Sequence, residues 1–291
     1  MTVVSRFAPS PTGRLHLGHA FSALQAWGAA QENPAARFLL RIEDIDRGRC
    51  REPFVDGIYE DLAWLGLHWE QPVLRQSTRL AAYGEALADL NQRGLLYPCF
   101  CTRQEIRHAV QKAGLEDVAG EGPPYPGTCR GLSPAEQAER KAAGQPFAVR
   151  LDMARAVAAV DASSLIWTDR QAGMRQADPG RFGDVVLARK DVPTSYHLAV
   201  VVDDAFQGVT TVVRGQDLFA ATDIHRLLQA LLGLPVPDYW HHGLIRDDGG
   251  TRLAKSRGSQ SLADLRAAGW TQEDAFKALD VAPEFRAKLG Q

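Results

Sequence analysis

Long apolar runs, a disulfide-type cysteine pattern and an excess of either charge are all missing from this 291-residue chain. No stretch approaches the ~20 consecutive apolar residues that span a bilayer as a helix, which excludes a helical membrane protein. The opening MTVVSRFAPS lacks the basic-then-apolar pattern of a secretion signal. A cytoplasmic protein is therefore expected, with no membrane partner, and in that reducing setting disulfides are not expected. Basic residues number 33 and acidic residues 35, for a net charge of -2. That balance neither demands nor excludes a nucleic-acid partner, because a local basic stripe can sit inside a neutral total. Internal repeats and low-complexity tracts are absent as well.

What is present is alternation. Val3 to Ala8 is a short apolar run of strand type, and Pro9 to Gly13 breaks it. Leu17, Ala20, Phe21, Leu24 and Trp27 then recur at helical spacing, and RFLLRI, Arg37 to Ile42, reads as a second buried strand. Strand, helix, strand is the unit of a parallel sheet with right-handed crossovers. Further helices are expected around Phe54 to Leu65 and, capped by Ser77, toward Leu90. Between Tyr97 and Gly180 the alternation gives way to Cys, Pro and Gly, which marks an inserted region. Strand-type runs resume at Phe182 to Arg189, His197 to Val202 and Val209 to Val213, followed by a helix stripe from Leu218 to Leu231. Trp240 to Ile245 is a further strand candidate, and Thr271 with Asp274 resembles a capping box. The expected division is 1–97, a first half of a nucleotide-binding sheet domain; 98–181, an insertion; 182–240, the second half; and 241–291, a polar loop with a short helical tail.

Two short stretches carry chemistry. In SPTGRLHLGHA, Ser10 to Ala20, His16 and His19 lie three apart at a helix start, with Gly18 between them. Unpaired backbone N–H groups and the helix dipole attract anions there, and two imidazoles add donors for phosphate oxygens. Taken singly, H-x-G-H suits a capped helix with two surface histidines equally well. The second stretch is TRLAKSRGS, Thr251 to Ser259, a polar loop carrying Arg252, Lys255 and Arg257, able to cover a polyphosphate. Of the four cysteines, Cys99, Cys101 and Cys129 fall within 31 residues, a clustering that favours metal over disulfide, while Cys50 stands apart.

RFAPSPTGRLHLGH with RIEDIDR, then YPCFC, YHLAVVVDD, VVRGQDL and RLAKS, occurs in an order that resembles the catalytic part of the glutamyl-tRNA synthetases, a class I family. The likeness runs from Val4 to Ser256 and is greatest to that family's short paralogues. It implies a Rossmann-like parallel sheet with an inserted zinc-binding domain and a short helical C-terminal extension. By that resemblance His16, Gly18 and His19, with Arg252, Lys255 and Ser256, hold ATP, and His16, His19 and Lys255 are catalytic. Arg252 and Ala254 replace a lysine and a serine of the family loop; the arginine keeps the charge in planar form. The resemblance implies a glutamate site of Arg6, Ala8, Ser10, Glu43, Tyr196 and Arg214. Arginine forks suit carboxylates, and sites of open α/β sheets lie beyond the strand ends. It also implies one structural zinc on Cys99, Cys101, Tyr125 and Cys129.

Only 35 residues follow Ser256, too few for the anticodon-reading domain of full-length relatives. The expected activity is therefore tRNA-independent formation of glutamyl-adenylate from ATP, with magnesium, and L-glutamate. Transfer of glutamate to queuosine in the anticodon loop of tRNA(Asp) then follows by likeness, and the expected state is a monomer. The alternatives are a truncated synthetase charging a tRNA 3′ end, a small-molecule nucleotidyltransferase, and a catalytically silent RNA-binding paralogue.

Overall fold

A computed structural model describes residues 2–31, 33–245 and 260–289. Its strands are β1 Val4–Phe7, β2 Arg37–Ile42, β3 Glu70–Arg75, β4 Leu96–Cys99, β5 Ala148–Leu151, β6 Ile166–Asp169, β7 Gly173–Gln176, β8 Val186–Ala188, β9 Thr211–Gly215 and β10 Asp238–His242. Helices α1 Leu17–Ala29, α2 Glu52–Trp64 and α3 Leu80–Gln92 alternate with the first strands. They are followed by α4 Arg103–Ala113, α5 Pro134–Ala142, α6 Met153–Ala158, α7 Tyr196–Phe206 and α8 Thr222–Leu232. The tail holds α9 Leu262–Ala267, α10 Gln272–Ala278 and α11 Pro283–Arg286.

Seven strands form the main sheet in the order β3-β2-β1-β9-β10-β6-β7, parallel except for the β6–β7 hairpin. From β1 the chain builds outward to β2 and β3, whereas β9 and β10 build the other way. The reversal falls between β1 and β9, where open α/β sheets leave a crevice at their carboxyl ends. One face of α1 is small: Ala20, Ala23 and Ala26 are fully buried. The helix therefore sits close on the sheet, and the buried Ser5 hydroxyl of β1 donates to the Ala26 carbonyl. A second sheet, β4-β5-β8, is antiparallel.

The sheets share their strands differently from the sequence pattern. β6 and β7, inside the Cys/Pro/Gly-rich region, extend the main sheet, and β8, beyond it, completes the smaller one. The apolar run His197 to Val202, expected as a strand, is the body of α7. Six consecutive buried or half-buried positions are also what a helix covered on most of its surface shows, so periodicity could not separate the two. Ser77 does not cap a helix. Its hydroxyl and N–H both donate to Asp44, at 2.8 and 2.7 Å, and α3 begins only at Leu80. The expected Thr271–Asp274 capping box is present, opening α10. No helix among the described residues is long and apolar enough to cross a membrane.

Candidate functional site

The histidines of H-x-G-H cap α1 with each other. His16 is the N-cap, and its Nδ1 accepts from the Gly18 N–H at 3.1 Å, while His19 Nδ1 accepts from the His16 N–H at 3.2 Å. The rings lie 3.8 Å apart, centroid to centroid. Because both Nδ1 atoms are acceptors, each neutral ring carries its proton on Nε2. Capping thus selects the tautomer in which Nε2 is a donor. Residues of the C-terminal part lie beside this turn: Leu262 N–H donates to the Leu15 carbonyl at 2.8 Å, and Ser261 bridges His16.

A cleft of about 410 Å³ lies at the β1/β9 reversal, and His16, Gly18 and His19 line it together with Arg6, Ala8, Ser10, Glu43, Tyr196 and Arg214. The structure brings these nine residues from five separate segments into one cavity. Arg252, Lys255 and Ser256 lie outside the described residues. Ile245, at the near end of that segment, lines the same cleft.

Charge in the cleft is unevenly paired. Arg6 grips Asp204 of α7 with two donors, Nε at 2.9 Å and Nη2 at 3.3 Å, and gives Nη1 to the Val213 carbonyl. Arg41, fully buried in β2, donates to Asp204 at 2.8 Å and Gln207 at 3.0 Å, and reaches Glu43 at 3.4 Å. The Asp204 carboxyl suffers most from burial, yet the two guanidiniums outweigh it and hold it below the usual carboxylate range. Burial wins at Glu43, whose carboxyl is pushed up despite Arg41 and Arg6. Two cations thus face two carboxylates, one of which is short of positive charge.

Arg214 of β9 is different. Its five contacts are the His241 Nε2 at 3.1 Å, the Tyr196 hydroxyl at 3.2 Å, the His225 Nδ1 at 3.1 Å, the Leu218 carbonyl at 3.1 Å and the Thr222 hydroxyl at 2.7 Å. Among the described residues no carboxylate forms an ion pair with it, although only 6% of its surface is exposed. A guanidinium can only donate, so both histidines must accept from it and are neutral. His241 passes its Nδ1 proton toward Asp169 at 2.8 Å, and His225 passes its Nε2 proton to His197 at 3.2 Å. Burial first, then the Arg214 charge, lowers the His197 and His241 pKa values to about 4 and the His225 value well below its usual 6.5. The cavity therefore carries one unneutralised buried cation solvated by dipoles, beside one carboxylate wanting a cation.

That arrangement refines the expectation for Arg6. It lines the cleft, but its fork is occupied by Asp204, so it supplies positive potential rather than a free bidentate donor. Arg41, Asp204, His225 and His241 escaped sequence reasoning. Arg41 and Asp204 did leave a signal, being charged residues inside otherwise apolar runs, RFLLRI and YHLAVVVDD.

Away from this cleft, Cys99, Cys101 and Cys129 bring their sulfurs within 4.8 Å of one another. Cys101 Sγ is 3.4 Å from Cys129 Sγ and 3.3 Å from the Tyr125 hydroxyl. Thiolates bound to one tetrahedral zinc stand ~3.8 Å apart, given Zn–S bonds of ~2.3 Å, so this cluster fits the ion with little movement. Burial pushes the Cys101 thiol up, whereas at Cys129 hydrogen bonds from Tyr125 and from the Phe100 and Cys101 backbone overcome burial and lower it.

The sequence profile described as tRNA synthetases class I (E and Q), catalytic domain, matches residues 2–281. The chain belongs to this family of class I tRNA synthetases, with the mostly parallel α/β fold and the ligase type of activity that define it. Within the family, a Rhodobacter capsulatus protein named glutamyl-Q tRNA(Asp) synthetase is 48% identical over 288 residues, covering 96% of this chain and 100% of that one. A Symbiobacterium thermophilum protein of the same name is 44% identical, covering 92% of this chain and 82% of its own. A solved glutamate tRNA ligase from Elizabethkingia meningosepticum, in complex with its amino acid, is 27% identical with a TM-score of 0.71. It covers 89% of this chain, which spans about half (53%) of that ligase.

Proposed function

We propose that this protein activates L-glutamate with ATP, without tRNA, and then transfers the glutamyl group to queuosine in the anticodon loop of tRNA(Asp). The observation that carries the first step is the charge of the cleft. Glutamate brings two carboxylates and one ammonium, a net charge of -1, and the cavity offers Arg214 unneutralised beside an undercompensated Glu43. The side-chain carboxylate accepts from Arg214 and Tyr196, the ammonium faces Glu43, and Arg6, Ala8 and Ser10 complete the walls. This leaves the α-carboxylate toward the two histidines.

In the reaction, an α-carboxylate oxygen attacks the α-phosphorus of ATP, and the bond to pyrophosphate breaks. His16 and His19, protonated on Nε2, donate to phosphoryl oxygens as their charge develops, and the backbone at Gly18 lets the phosphates come close. Lys255 and Arg252 neutralise the departing pyrophosphate, and the Ser256 hydroxyl donates to the nucleotide's phosphates. Magnesium supplies the usual neutralisation of the triphosphate. In the second step an acceptor hydroxyl oxygen bonds to the glutamyl carbonyl carbon, AMP leaves with the bonding pair, and the hydroxyl proton passes to solvent.

Cys99, Cys101, Cys129 and Tyr125 would hold one zinc, which would tie β4 to the loop before α5. The support is the donor set, three clustered sulfurs with a phenol in contact. The names of the relatives that this chain matches over most of their own length support queuosine as the acceptor. Likeness to an Aquifex aeolicus glutamate–tRNA ligase, 36% identical over 95% of this chain, favours a second reading in which a tRNA 3′ end is charged. The test is glutamate-dependent ATP–pyrophosphate exchange in the absence of RNA, followed by transfer to tRNA(Asp) with and without queuosine. Absence of exchange refutes the first step, and transfer indifferent to queuosine refutes the second.

A further inference from the structure

A second cavity, of about 540 Å³, opens behind the glutamate cleft and shares Ser10, Thr12, Glu43 and Tyr196 with it. Its size is that of a small-molecule site. Among the described residues, two buried polar atoms on its lining have no hydrogen-bond partner. The first is the Ser195 hydroxyl, on a residue 7% exposed. Ser195 is the N-cap of α7, a position where serine ordinarily turns its oxygen back onto the helix N–H groups, and here it does not. The second is Nε of Arg150, on a residue 8% exposed. Arg150 lies 3.8 Å over the Tyr125 ring and donates Nη1 to the Asp184 carbonyl at 2.7 Å. The Asp184 carboxylate itself is engaged by Arg130 at 2.6 Å, so the Arg150 charge has no ion pair among the described residues. Buried donors are rarely left unmet in proteins, and these two line one cavity.

Carboxylates line it too. Glu121 stands 3.7 Å from His197, whose ring is oriented through His225 by Arg214. Donors and carboxylates lining one cavity suit a group that both accepts and donates. A vicinal diol does so twice, since each oxygen accepts from a guanidinium or hydroxyl and each proton goes to a carboxylate.

We propose that this cavity is the acceptor subsite and that Ser195 and Arg150 are specificity-determining residues, donating to the hydroxyl oxygens of a diol-bearing ring of the acceptor nucleic acid. This rests on the reading of the neighbouring cleft as the glutamate-activating site. Two rings carry that chemistry, the cyclopentenediol of queuosine and the terminal ribose of a tRNA.

The test uses the full chain, with Ser195→Ala and Arg150→Lys, the second keeping the charge while removing Nε. Each protein is assayed for glutamate-dependent exchange without RNA, for melting temperature, and for glutamyl transfer. Transfer is measured on tRNA(Asp) with and without queuosine, each with an intact or an oxidation-blocked 3′ end, the block being introduced before the queuosine-bearing half is ligated. Ser195→Ala is expected to leave exchange within twofold and melting unchanged or raised. Its transfer kcat/KM should fall ~3- to 10-fold, the value of one neutral hydrogen bond. Arg150→Lys should lower transfer ~10-fold or more, since an ammonium cannot reproduce the fork. A loss confined to the queuosine arm assigns the cyclopentenediol, and one confined to the 3′-end arm assigns the ribose; either supports the subsite. Unchanged transfer in both variants overturns it, as does exchange falling in parallel with transfer. Should Arg150→Lys fail to fold, Ser195→Ala decides alone. Wild-type protein lacking exchange sinks the underlying reading, whereas wild-type protein that exchanges but transfers to neither RNA sinks the transfer step and the subsite with it and leaves glutamate activation standing.

Discussion

Replacing Arg214 by glutamine separates a charge kept for a ligand from charges kept for the fold. In the free protein Arg214 is solvated by a hydroxyl-bearing tyrosine and threonine, two neutral imidazoles and a carbonyl. Among the described residues no carboxylate forms an ion pair with it, so removing it breaks no buried salt bridge, although Glu121 loses a favourable long-range charge. Glutamine retains donors for the Thr222 hydroxyl and the Leu218 carbonyl, and the melting temperature should change little. Glutamate binding should suffer heavily, because a buried charge pair that loses one member costs ~2–5 kcal/mol. With Arg6 still adding positive potential, the lower half of that range applies. The glutamate KM in pyrophosphate exchange should then rise by about 100-fold, equivalent to ~2.7 kcal/mol. A second readout needs no substrate. Beside burial, the Arg214 charge lowers the pKa values of His197 and His241, both to about 4, so in the variant both should titrate at higher pH by NMR. The contrast is Arg41→Met, which leaves Glu43 without its ion pair and Asp204 with one cation in place of two. Breaking such a pair costs ~3–5 kcal/mol, or about 10 °C of melting temperature in a protein of this size. An Arg214→Gln protein with normal glutamate KM, or one destabilised as much as Arg41→Met, would refute the division of charges described above.

Other expectations follow from the same geometry. His19→Asn keeps an acceptor near the Nδ1 position but removes Nε2; exchange should fall ~100- to 1,000-fold, the value of one transition-state donor, while melting stays within a few degrees. Lys255→Ala should cut exchange at least as strongly with an unchanged circular dichroism spectrum, and equal turnover would remove that residue from the reaction. Three buried histidines have depressed folded-state pKa values, so the unfolded chain binds more protons than the folded one between pH 6.5 and about 4. The stability they contribute is therefore complete above pH 6.5 and lost as pH falls through that window, at ~1.4 kcal/mol per pH unit for each group. His197→Asn should make the slope of a denaturant titration series shallower by about that amount. Removing metal with a chelator should release about one zinc per chain and open the region between Cys99 and Cys129 to protease, as Cys129→Ser should; protease resistance equal to that of untreated protein would count against a metal cluster.

Local patterns were written plainly in the chain. The short continuous apolar runs of β1 and β2, the period near 3.6 in α1 and the breaker between them pointed to the strand–helix–strand start, because such local patterns follow from backbone geometry and need no tertiary partner. The ordered motifs also named most of the cleft residues, since chemistry demands particular side chains just beyond particular strands. What the sequence could not decide were matters of long-range placement. Whether LAVVV in α7 forms helix or strand depends on what covers it, and β6 joining β10 depends on a partner some 70 residues away. The division of roles among three arginines was equally invisible. Arg6 and Arg41 share Asp204, from a helix about 160 to 200 residues later in the chain, while Arg214 meets only neutral groups. A sequence states that a guanidinium is present; only the folded arrangement of carboxylates and dipoles determines which one is left with charge to offer a substrate.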